Sequence, residues 1–155
     1  MTTTTAITFT VPGVPQGKGR PRHVQRKRRD PSSGQLVAYQ ATITPEKTIA
    51  YEKTIKDAGE RAMAGRPLIL GAVVLVMSVH MPIPESWSKK RRAEAAAGKI
   101  YPKVKPDLDN VEKAICDGLN EVVWKDDVQV VDVVKHKRYS DTPRVEVEIE
   151  PLEFV

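Results

Sequence analysis

The stretch KPDLDNVEKAICDGLN, residues 105–120, and the adjacent pair Asp126–Asp127 concentrate carboxylates in a chain of formal charge +5. Asp107 and Asp109 are two apart, so in extended backbone both side chains project to the same side. Asp109 or Asn110 opens a helical pattern, where a carboxylate caps the helix and favours its dipole. A turn and a cap would account for DLDN taken alone. Lys113 lies one helical turn after Asp109, and Asp117 one turn after Lys113. As a surface ion pair Lys113 and Asp117 would contribute only ~0.3–0.5 kcal/mol. The pair Asp126–Asp127 leads into a strand, and helix and strand packed together can return one of the two towards Asp107 and Asp109. Carboxylates gathered in this way repel unless a cation stands among them.

Oxygen donors without His or Cys suit Mg²⁺, with Mn²⁺ as a substitute, rather than zinc. A calcium EF-hand is excluded, because Glu112 stands where that loop needs Gly and Val111 where it needs an oxygen ligand. An ion so held lowers the pKa of water and neutralises charge on a pentavalent phosphate. A lysine beside it stabilises the same charge or the leaving oxygen. Two basic blocks flank this centre. Residues 18–29, KGRPRHVQRKRR, carry seven Lys or Arg and no acid; residues 89–105 carry seven against the single Glu94. Lys18, Arg20, Arg22, Lys89 and Lys90 are the bases expected to contact a phosphodiester backbone. The chemistry thus describes a Mg²⁺-dependent nuclease. The reading from another class is a DNA-binding protein that uses metal structurally.

The elements that must position these residues follow from pattern. Ile7–Val11 alternates as a half-buried strand and Pro12–Gly13 ends it. A basic loop at about residues 16–42 follows, with room for a short hairpin. Thr44 and Pro45 form a helix start, N-cap and first position, for a helix reaching Ala64 and stopped by Gly65. A β-branched strand is expected over Leu68–Val79, then a short basic helix from Ser86 to Ala97. Val111, Ala114, Ile115, Gly118, Leu119 and Val122 recur on one helical face. Val128–Val134 and Arg144–Ile149 read as two further strands, joined through residues 139–143. The order predicts an α+β domain with a mainly antiparallel mixed sheet and helices packed on one face.

At 155 residues, with 40% apolar and 29% charged side chains, the chain fits one soluble globular domain spanning residues 1–155. No apolar run reaches the ~18 residues that span a bilayer, and MTTTTAITF lacks the basic and apolar regions of a signal peptide. A cytoplasmic protein without a membrane partner is expected. The single cysteine, Cys116, excludes an internal disulfide and Cys-rich zinc sites. It is read as a small helix-core residue. Trp87 and Trp124 are read as packing anchors, and His23, His80 and His136 lack ligand spacing.

KPDLDN-x₂-K-x₃-DGLN followed by V-x₂-DD-x-Q-V resembles the RusA family of Holliday-junction resolvases. VPGVPQGKGRPR and PIPESWSKKRR resemble that family's other blocks, so the resemblance reaches from about Val11 to Val131. It implies a RusA-like fold and a homodimeric, Mg²⁺-dependent endodeoxyribonuclease of DNA recombination and repair. Such an enzyme cuts two symmetry-related strands of a four-way junction, leaving 5′-phosphate and 3′-hydroxyl ends. By position, the family's catalytic carboxylates fall on Asp107, Asp109 and Asp127, its metal ligands, and the essential lysine on Lys113. Asp126 is the second-choice ligand, and Asp117 is given a structural role pairing with Lys113.

Overall fold

The computed structural model describes residues 5–152. The chain runs β1 (Ile7–Pro12), β2 (Arg22–Arg29), β3 (Leu36–Ile43), α1 (Glu46–Met63), β4 (Val73–Pro82), α2 (Lys89–Ala96) and α3 (Leu108–Leu119). A 3₁₀ turn (Asp127–Gln129), β5 (Val130–Ser140) and β6 (Arg144–Pro151) complete it. Period-two alternation builds the main sheet. β1 buries Ile7 and Val11 and exposes Thr8 and Thr10; β6 buries Val145, Val147 and Ile149 and exposes Glu146, Glu148 and Glu150. β4 buries Val73, Leu75, Met77, Val79 and Met81. The strand order is β1-β6-β4-β5, with β1–β6 and β6–β4 antiparallel and β4–β5 parallel. Parallel neighbours need a crossover connection, and α2 and α3 lie within it. The described residues thus form one α+β domain with the expected mixed, mainly antiparallel sheet.

The helices cover the buried face of that sheet. α1 contributes Tyr51, Ile55 and Met63; α3 contributes Val111, Ala114, Ile115 and Leu119, at the spacing read from sequence. α1 packs on α3 and on β1. Burying a side chain such as Leu119 stabilises by ~1.5–3 kcal/mol. The two helices approach at Gly118, where an added Cβ would lie 2.7 Å from Ile55 Cγ2, 2.9 Å from Ile55 Cβ and 3.3 Å from the Glu52 carbonyl oxygen. Ile55 is β-branched and fully buried, so it cannot swing away. Gly118→Ala is therefore expected to destabilise by about 1–3 kcal/mol, read as a lower urea midpoint; an unchanged midpoint would mean the helices separate freely.

Several boundaries differ from the sequence reading. The strand expected over Leu68–Val79 begins at Val73, because the preceding backbone is used elsewhere: Ile69 N donates to Val123 O, and Ile69 O and Gly71 O accept from Gln129. Pro45 is the N-cap of α1, with no side-chain cap bond, so Thr44 does not cap it. The cap of α3 is Asp107, not Asp109 or Asn110; its Oδ1 accepts from Asn110 N at 3.1 Å. β5 runs on through Tyr139 and Ser140, leaving a shorter connection to β6. The stretch expected as a basic loop at 16–42 is mostly a regular hairpin, paired from Arg22–Ile43 to Arg29–Leu36, so Arg26 to Arg29 belong to a strand. No helix among the described residues is long and apolar enough to cross a membrane.

Candidate active site

The first turn of α3 sets two of the candidate carboxylates. Asp107 has extended backbone and spends Oδ1 on the cap, and the segment before it is tied down from β5. Lys137 Nζ donates to Val104 O at 2.7 Å and Pro106 O at 3.0 Å, across the cis Lys105–Pro106 peptide. Asp109 follows in the first turn, where the helix dipole favours its charge. Its side chain is 88% exposed and is paired with Lys135 of β5, which also holds Glu112 at 2.8 Å. Burial works against the charge of Lys135, but its bonds to Asp109 and Glu112 outweigh that and hold its pKa above the ordinary lysine value.

The second acidic pair is fixed by a capping box. Asp126 is the N-cap of the 3₁₀ turn, its Oδ1 accepting from Val128 N, while Gln129 Oε1 accepts from Asp126 N at 3.2 Å and Lys125 N at 2.9 Å. Gln129 Nε2 anchors the same turn to the carbonyls of Ile69 and Gly71. Trp124, fully buried with its Nε1 donating to Asn120 Oδ1, holds the chain entering it, as its packing role predicts. Asp126 is exposed and Asp127 half-buried against α3. A hydrogen bond between the two carboxyls splits them: Asp127 is held above the usual carboxylate range, by that bond, burial and the charges of Asp126 and Asp117, and Asp126 below it. Lys113 opposes the rise at Asp127. Lys113 is 62% exposed and stands 3.7 Å from Asp117, the pairing expected for that residue.

The carboxylates therefore stand in two sets along α3, with Asp107, Asp109 and Glu112 at its start and Asp117, Asp126 and Asp127 further along. Among the described residues, no three His, Cys, Asp or Glu side chains converge on one point as a ready metal cage. The donor set nevertheless fits a hard divalent cation. It is all carboxylate oxygen, the crowding at Asp127 is of a kind a cation relieves, and the Lys135 ammonium already bridges Asp109 and Glu112.

The expected DNA-contacting bases have different surroundings. Lys18 is tied into the body, bridging Glu52 of α1 at 2.5 Å and Asp117 of α3 at 2.9 Å. Burial disfavours its charge, but the bonds to Glu52 and Asp117 raise its pKa. Its backbone N donates to Asn110 O, and a Cβ on Gly17 would meet Asn110 Nδ2 at 2.1 Å, so the glycine serves close approach to α3. Arg20 and Arg22 are exposed, as are Lys89 and Lys90 at the start of α2. Arg91 instead stacks over Trp87, whose ring meets Tyr139 edge-on, and Arg92 donates to Pro84 O. The histidines sit on separate elements: His23 near Thr42, His136 on Ser78, His80 3.5 Å from Glu146.

Glu112, Lys135 and Lys137 carry no site role in the sequence reading, and Gln129 enters there only as the fixed Gln of the acidic motif. The signal for the two lysines is their spacing by two, which puts them on one face of β5. Cys116 is buried in α3 as expected, its thiol pushed up to about 12 by burial and by the nearby Glu112, Asp127 and Asp117. Iodoacetamide at neutral pH should leave the native thiol unmodified and label it once urea unfolds the chain. Rapid labelling of the folded protein would contradict that burial.

The helix-borne acids, the capped acidic turn and the mixed sheet describe a carboxylate-centred α+β enzyme scaffold with basic margins. The family model for Endodeoxyribonuclease RusA matches residues 12–150, and the chain belongs to that family of DNA nucleases. It is also 38% identical over 151 residues to the uncharacterized protein YqaN of Bacillus subtilis (strain 168), covering 92% of this chain and 94% of that one.

Proposed function

We propose that the protein is a divalent-metal-dependent endodeoxyribonuclease that resolves four-way DNA junctions by paired, symmetric nicks, acting as a homodimer in recombination and repair in the cytoplasm. What supports this reading is that the candidate groups share one helix, α3. Asp107 and Asp109 are exposed in its first turn, Lys113 stands one turn on, and the Asp127 turn packs against the same helix. Asp107, Asp109 and Asp127 would hold Mg²⁺, or Mn²⁺ in its place. When bound, such an ion neutralises phosphate charge and lowers the pKa of the attacking water.

The chain's own groups do the rest. The Asp107 cap and the Lys137 tether fix the first carboxylate without a flexible search. Gln129 fixes the Asp127 turn. Lys113, exposed and loosely held by Asp117, is free to turn its ammonium to the developing negative charge. Lys89 and Lys90 crowd positive charge at the positive end of the α2 dipole, an arrangement that a phosphate would relieve. Arg20 and Arg22 extend the positive margin, and Lys18 steadies it from below. One such site per subunit under a two-fold axis addresses two opposing strands.

The test is cleavage of end-labelled four-way junction, flap and linear duplex, each with Mg²⁺ or EDTA. Paired nicks on the junction alone, abolished by EDTA, are the expected result. Equal cutting of flap or duplex would make the protein a nuclease of broader branched DNA. Junction binding without cleavage under any divalent ion would make it a binding protein.

A further inference from the structure

We propose that the β2–β3 hairpin is a DNA-gripping arm that lies in the major groove of one duplex arm beside the cleavage site. This rests on the reading of the chain as a branched-DNA nuclease and goes beyond it in naming the part of the substrate the arm takes. The two strands form a sheet of their own, packed extensively only on each other. Every residue of β2 except Val24 is exposed, and Leu36, Val37 and Tyr39 of β3 stand 63%, 42% and 38% exposed. A lone two-stranded hairpin is marginal in water, so a ribbon with such surface calls for a partner.

Charge identifies the partner. β2 carries Arg22, Arg26, Lys27, Arg28 and Arg29, and neither strand holds an Asp or Glu. Alternation divides these bases between both faces. Arg22, Arg26 and Arg28 lie on one, and Lys27 and Arg29 on the other with His23 and Gln25. A flat acidic partner would meet one face only; a groove walled by phosphates meets both. The major groove, ~12 Å wide, admits a two-stranded ribbon, whereas the minor groove at ~6 Å does not. Tyr39, with Arg28 stacked 5.4 Å over its ring, and Val37 supply apolar contacts of the kind thymine methyls accept.

The root of the hairpin sets where the arm lies. Gly19 N bonds Thr48 Oγ1, Lys18 N bonds Asn110 O, and Pro45 caps α1, so the ribbon springs from beside the α3 start that carries Asp107 and Asp109. Eight residues at ~3.3 Å each extend about 26 Å, nearly eight base-pair steps.

The experiment compares the full chain with the variant Arg26→Gln/Lys27→Gln/Arg28→Gln/Arg29→Gln, binding junctions in EDTA with arms about 20 or about 5 base pairs long. The wild type is expected to lose affinity on the short arms and to protect guanine N7, a major-groove atom, within one arm. The variant is expected to bind the long-armed junction about tenfold or more weakly, to ignore arm length, and to give no N7 protection, with a flatter salt dependence. Those side chains are exposed, so its thermal unfolding should match the wild type. Wild-type affinity and N7 protection in the variant would overturn the arm alone, as would protection confined to minor-groove adenine N3. A wild type that binds no DNA would overturn the nuclease reading as well.

Discussion

Asp107→Asn and Asp109→Asn are each expected to abolish junction cleavage, by ~10²-fold or more, while junction binding survives or tightens. Asparagine is the informative replacement at 107, because it caps a helix as well as aspartate does. The Asn110 N–H keeps its acceptor and α3 keeps its start. Asp107→Ala would confound the result, since losing the cap costs ~1 kcal/mol. At 109 the exchange removes the pair with Lys135, but Asp109 is so exposed that this bridge contributes within ~0–1 kcal/mol. Lys135 retains Glu112. Both variants should therefore unfold at nearly the wild-type urea midpoint while losing turnover. Binding survives because a negative charge leaves the path of a polyanion. Full cleavage by both variants would remove these carboxylates from the mechanism.

The extent to which the sequence foretold this site depends on how local each cause is. The apolar face of α3 was legible because Val111, Ala114, Ile115, Gly118 and Leu119 all meet one core, and helical periodicity records that directly. The strands β1, β4 and β6 were legible for the same reason. The cap of α3 was not, because DLDN offers Asp107, Asp109 and Asn110 as chemically equivalent caps. Contacts from distant β5, above all Lys137 on the carbonyls of Val104 and Pro106, help fix the approach to Asp107. The start of β4 lies later than the apolar pattern alone indicates, because Gln129, far along the chain, takes the carbonyls of Ile69 and Gly71. The β2–β3 ribbon showed no periodicity because neither face is buried, and burial is what alternation reports. Residue chemistry alone does not separate Asp126 from Asp127, and the family resemblance prefers Asp127 by its position in the motif. The fold gives Asp126 to a cap and packs the Asp127 turn against α3.

Lys113→Ala separates the two readings of that lysine more sharply than any other single change. As a surface partner of Asp117, Lys113 is mostly exposed, and an i,i+4 pair of that kind stabilises by only ~0.3–0.5 kcal/mol. Asp117 would lose little, because it keeps the much closer Lys18. Alanine also has the higher helix propensity. The structural role alone thus predicts an unfolding midpoint within experimental error of wild type and normal cleavage. The catalytic role predicts the same midpoint with kcat reduced ~10²–10³-fold, the usual consequence of removing one preorganised charge from a developing anion. KM should move little, since the interaction would form only as negative charge develops. Lys113→Arg provides the control: it keeps the positive charge but changes its reach and geometry, so partial recovery is expected. Single-turnover cleavage at saturating junction is the measurement. A wild-type rate for Lys113→Ala would leave Lys113 a surface pair and hand the stabilising charge to another base near the α3 start.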